Sequence, residues 1–126
     1  MTATKLGIWM DHEHALLTEF TTDPMTTTTI SSGFDHTIKG ESLTHGENSM
    51  HRKQQHLQKE YYKKLADHIR RYREVFVFGP TSAKSELINA LREDHLFDDI
   101  KIRVEPADKM NETQIQALVR KYFSTR

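Results

Sequence analysis

Four apolar, strand-favouring residues, Val75-Phe76-Val77-Phe78, run without a polar break into Gly79-Pro80. Such a run reads as a strand buried on both faces, which requires a sheet with cover on each side. Gly79-Pro80 stops the strand, and Thr81 or Ser82 is placed to cap a helix with Lys84 in its first turn. Free N–H groups at a helix N-terminus hold anions, and a nearby lysine adds charge. Gly79, Thr81 and Ser82 are therefore a candidate anion-binding turn, and Lys84 a candidate phosphate contact. The segment is not a nucleotide-binding P-loop, which needs a second glycine before the lysine.

The remaining elements follow from period and punctuation. Leu6 to Met10 reads as a buried strand, Asp11-His12-Glu13-His14 as a turn, and Ala15 to Phe20 as the returning strand of a hairpin. Asp23-Pro24 breaks the chain before the threonine-rich stretch Met25 to Ser31, which fits a third strand with one wet side. Residues 32–49 are polar and glycine-punctuated, and predict a long loop. Leu57, Tyr61, Leu65 and Ile69 recur every fourth residue and predict a helix over 50–72. A helix from Ser82 to about Glu93 has Leu87, Ile88 and Leu91 facing inward. Ile100, Ile102 and Val104 alternate with Lys101 and Arg103 as in a strand with one wet face. Asn111 and Gln114 form a capping-box pattern ahead of a final amphipathic helix bearing Ile115, Leu118, Val119 and Tyr122. The order β-β-β-α-β-α-β-α predicts an α/β fold, a single domain over 1–126 with a mixed sheet and helices on both faces.

The 126 residues carry no net charge, but unevenly. Residues 1–49 hold two bases against seven acids, whereas residues 50–73 hold eight bases against Glu60 and Asp67. That basic block is a candidate footprint for a polyanion, beside the plainer reading of a solvated helix face. With no cysteine, disulfides, thiol catalysis and thiolate metal sites are excluded. No apolar run approaches the roughly 20 residues of a membrane span, and a cytoplasmic location is the default expectation.

Eight histidines raise the question of metal. His51 and His56 are five apart, which on a helix turns their directions about 140° away from each other. His12 and His14 alternate, and no HExxH spacing occurs. No cofactor or metal is expected. A metal-dependent hydrolase or nuclease remains an alternative, motivated by Asp11 at a strand end and acids in the turns. So does a protein-interaction module on the same fold.

Several segments together resemble a known family. Ile8-Trp9-Met10-Asp11-His12-Glu13-His14-Ala15, the aromatic-lysine stretch Glu60-Tyr61-Tyr62-Lys63-Lys64-Leu65-Ala66, and Phe78-Gly79-Pro80 with Lys84 are similar, in order and spacing, to the central domain of the archaeo-eukaryotic class-1 release factors and of Pelota. The chain resembles in particular the short bacterial homologues of that domain. The resemblance implies an RNase H-like sheet and a ribosomal or structured-RNA partner, rRNA or tRNA, with no membrane and no DNA. Release factors carry Gly-Gly-Gln before the long helix; here the region reads Thr44-His45-Gly46-Glu47-Asn48-Ser49. The resemblance therefore implies a non-catalytic, translation-related factor, in ribosome rescue or stress. Thr44, His45, Gly46, Glu47 and Asn48 would form a functional loop near RNA. Arg52, Lys53, Lys59, Lys63 and Lys84 would contact phosphates.

Overall fold

The computed structural model describes residues 5–20, 25–32 and 47–124, with side chains from residue 55 onward in the last stretch. Its elements are β1 (Lys5–Met10), β2 (His14–Glu19), β3 (Thr26–Ser31), α1 (Glu47–Ile69), β4 (Glu74–Gly79), α2 (Ala83–Arg92), a 3-10 turn (His95–Phe97), β5 (Lys101–Pro106) and α3 (Glu112–Ser124). The strands form one sheet in the order β3-β2-β1-β4-β5. β1, β2 and β3 pair antiparallel, whereas β4 runs parallel to β1 and β5 parallel to β4. This is the predicted mixed sheet.

The pleat sorts the core into two layers. Leu6, Ile8, Met10, Val75 and Val77 meet Tyr61, Leu65 and Ile69 of α1 and Leu87 and Leu91 of α2. Trp9, Phe76 and Phe78 point the other way, onto Ile115, Val119 and Phe123 of α3. Helices thus cover both faces. The fit on the α3 side is close enough to dictate a glycine: a Cβ on Gly7 would lie 2.3 Å from Val119 Cγ2. Phe76 stacks on Tyr122 with centroids 3.9 Å apart, and Trp9 Nε1 donates to the Asp108 carbonyl at 3.2 Å.

Several boundaries differ from the sequence reading. α1 begins at Glu47, so Glu47, Asn48 and Ser49 belong to the helix and not to the loop. Their polar side chains carry no apolar period by which a helix could be read. At its other end α1 stops at Ile69, because Arg71 and Tyr72 donate to the His68 and Ile69 carbonyls and tighten the chain into β4. β2 starts at His14 and ends at Glu19, leaving Phe20 just outside it, with its N–H on the Lys5 carbonyl. Ile102 and Val104 are half-buried, not buried, since β5 is an edge strand. Residues 33–46, and with them Thr44, His45 and Gly46, lie outside the described residues, as do Asp23-Pro24 and the side chains of Arg52 and Lys53.

Candidate nucleic-acid interface

The carboxyl ends of β1 and β4 lie side by side, with Trp9 paired to Phe78. In open α/β sheets the crevice beyond such ends is the usual ligand position. A Cβ on Gly79 would sit 2.0 Å from the Met10 carbonyl oxygen, so contact between the two strand ends excludes any side chain there.

The groups gathered beyond this point bond mainly to one another. Asp11 Oδ1 accepts the N–H groups of Glu13 and His14, both at 2.8 Å. Tyr61 donates its buried hydroxyl to the Asp11 carbonyl at 2.9 Å, and Gln58 Nε2 donates to the His12 carbonyl at 2.7 Å. Glu86, in the first turn of α2, is a hub. Its Oε1 accepts the Tyr62 hydroxyl at 2.7 Å; its Oε2 lies 3.2 Å from both His12 Nε2 and Ser82 Oγ. Partial burial pulls the Glu86 carboxyl up, but the hydrogen bonds from Tyr62, His12 and Ser82 outweigh it and hold the group below the usual carboxylate range. Burial, with the Asp11 charge second, pushes the Tyr61 phenol far above its ordinary value. Burial and the bond to Glu86 do the same to Tyr62.

Several groups of the candidate anion-binding turn are engaged within the chain. Thr81 Oγ1 accepts the Ala83 N–H at 3.2 Å, Ser82 Oγ is directed to Glu86, and the Lys84 ammonium donates back to the Thr81 carbonyl. A carboxylate of the chain itself already serves the N-terminus of α2. Lys84 thereby gives one of its three ammonium protons to the turn. Asp11 is likewise committed to its own turn. Among the described residues no group of three or more His, Asp and Glu side chains could hold a metal ion; His36, His45 and the side chain of His51 lie outside them.

The basic block behaves differently. Lys59, Lys63 and Arg70 are exposed, and their spacing puts them on one face of α1. Lys64, Arg71 and Arg73 are exposed as well. None of these six takes part in the ion pairs formed among the described residues. Lys59 and Lys63 border a groove of about 270 Å³ between α1 and α2, floored by Tyr62, Ala66, Leu91 and Phe97, with Asp94 across from them. Arg70, Arg71 and Arg73 belong to the basic block, and the run Arg70-Arg71-Tyr72-Arg73 is their sequence signal. The Glu86 hub, which joins residues 74 apart in sequence, had none.

Solved structures with this fold include the Thermoplasma acidophilum Pelota protein, with a TM-score of 0.59 at 12% identity over 91% of this chain and 31% of that one. An archaeal translation termination factor, aRF1, aligns with a TM-score of 0.59 at 14% identity, over 93% of this chain and 33% of that one. Archaeoglobus fulgidus Pelota aligns with a TM-score of 0.54 at 9% identity, over 93% and 30%. The fold is that of a Pelota/release-factor-like domain. The chain spans about a third of the length of these structures. No family model matches the chain, and no curated protein matches it by sequence. Among the described residues no helix is long and apolar enough to cross a membrane.

Proposed function

We propose that the chain is a non-catalytic, translation-related factor that binds the ribosome or a structured RNA. The observation that carries this reading is the row of exposed cations on α1, led by Lys59 and Lys63, that no carboxylate among the described residues takes up. Like charges gathered without partners repel one another, and a polyanion relieves that repulsion. The fold, shared with a translation termination factor, supports the choice of polyanion. Lys59 and Lys63, with Arg52 and Lys53 further along the same helix, supply phosphate contacts that position the protein without reading sequence. The absence of any Gly-Gly-Gln in the chain supports a non-catalytic role. The hydrolase reading would use Asp11, one of whose carboxylate oxygens already accepts two backbone N–H groups of its own turn.

Co-sedimentation with ribosomes and filter binding to rRNA fragments, each across a salt series, test the proposal. Binding is expected at low salt, falling linearly in log salt with a slope of about −0.7 to −0.9 per phosphate contacted. The double variant Lys59→Glu/Lys63→Glu should bind more weakly at every salt, with an unchanged circular dichroism spectrum. Absence of any ribosome or RNA association at low salt rejects the reading.

A further inference from the structure

At the opposite end of the sheet from the Glu86 hub, the exit of α1 forms a second cleft, of about 350 Å³. Arg70, Arg71 and Arg73 line it together with Leu96, Tyr72 and a single acid, Asp99. We propose that this cleft binds an unpaired nucleotide of RNA, with the guanidinium groups on its phosphate and Leu96 against its sugar or base. The inference rests on the RNA-binding reading above and places a contact where that reading does not.

Four observations carry it. The three arginines outnumber the one acid in the cleft, and none is taken up by an ion pair among the described residues. A favourable interaction with the C-terminal end of α1 would account for Arg70 and Arg71. It does not account for Arg73, which follows the helix and whose carbonyl accepts the Lys101 N–H at 2.9 Å. That bond ties its backbone to the start of β5, so the cleft has a fixed wall. Next, Leu96 is the large apolar side chain left exposed among the described residues, at 62%, and it lies in this cleft. An inorganic anion has no use for an apolar wall, whereas a nucleotide presents phosphate, sugar and base together, and arginine planes also stack on bases. Third, the volume falls near the lower end of small-ligand sites, roughly 300–1,000 Å³, which suits one nucleotide and not a duplex. Last, Lys63 stands about 10 Å up the axis of α1 from Arg70 on the same face. A strand leaving the cleft therefore runs onto the lysine row.

The experiment is fluorescence anisotropy with a labelled, unstructured RNA oligonucleotide at low salt, using the whole chain. Arg71→Gln/Arg73→Gln is expected to weaken binding at least tenfold and to flatten the salt dependence by up to about 0.7 in log–log slope, as loss of one neutralised phosphate on a single strand requires. Arg71→Lys/Arg73→Lys keeps the charge but loses the planar fork, and should recover only part of the affinity. Asp99→Asn should tighten binding, and Leu96→Ser should weaken it several-fold without changing the salt slope. If the wild type binds but both arginine variants bind equally well, the cleft is not the site and the inference falls, while the broader RNA reading stands. A duplex of the same sequence binding as tightly as the single strand overturns the unpaired nucleotide. A wild type that does not bind the oligonucleotide overturns this inference, whereas the broader reading falls only if ribosomes and rRNA fragments are not bound at low salt either. Circular dichroism melting of each variant separates lost binding from lost fold.

Discussion

Gly7 shows how one residue sets the distance between layers. It faces α3 from the middle of β1, and any side chain would meet Val119. Gly7→Ala is expected to lower stability by about 1–3 kcal/mol, the usual range for overpacking. The measure is a shifted urea midpoint with an unchanged slope. Combining it with Val119→Ala should cost less than the two singles added, because the shorter side chain makes room for the methyl. Strict additivity would show that Val119 is not the obstacle. Gly79 answers to a different neighbour, the Met10 carbonyl, and a backbone atom has no rotamer through which to yield. Substitution there should therefore resist rescue by any side-chain change.

Among the elements, α3 is the described helix that packs on Trp9, Phe76 and Phe78. Its start is held by a reciprocal capping box: Gln114 N–H donates to Asn111 Oδ1 at 2.8 Å, and Asn111 N–H to Gln114 Oε1 at 2.9 Å. Asn111→Ala should cost about 0.5–2 kcal/mol. The chain has one tryptophan, Trp9, which lies under this helix, so its fluorescence reports the loss directly. A midpoint equal to wild type would mean that the cap adds nothing. α1 divides its duties around its circumference. Tyr61, Leu65 and Ile69 close the core while Lys59 and Lys63 stay wet. Two tyrosines fasten this segment to the rest: Tyr61, within α1, to the β1–β2 turn, and Tyr72, three residues past its end, its phenol pushed up to about 12 by burial and the Glu19 bond, to the end of β2.

Across the whole molecule, Glu86 joins α2 to α1 through Tyr62 and to the β1–β2 turn through His12. Its carboxyl is held below the usual range in the folded protein. The stability it contributes is therefore present above the unfolded carboxylate value, about 4.3, and is lost as pH falls through the lower folded value. Urea midpoints of the wild type should drop on acidification through that window. Those of Glu86→Gln should drop less steeply there while starting lower at neutral pH by about 1 kcal/mol or less, since the hub is partly exposed to solvent. Parallel acid profiles for the two proteins would show that this carboxylate is not linked to folding.

Much of the fold was legible along the chain. Apolar alternation, the four-residue period of Tyr61, Leu65 and Ile69, the unbroken run before Gly79 and the Asn111/Gln114 cap are local signals, and each appears where the sequence placed it. The start of α1 at Glu47 was not legible, because polar residues carry no period. The candidate site was legible only as composition. A count of positive residues marks a basic block, but it cannot say which cations find partners. Lys84, offered by its turn, donates to the Thr81 carbonyl within it. Arg70, Arg71 and Arg73, three bases of one crowded run, come to share a cleft with Leu96 and Asp99. Local structure is written in short-range sterics and periodicity, which a sequence displays. Pairing and solvation of charge depend on which distant segments the packed sheet brings within a few ångströms, and only the three-dimensional arrangement decides that.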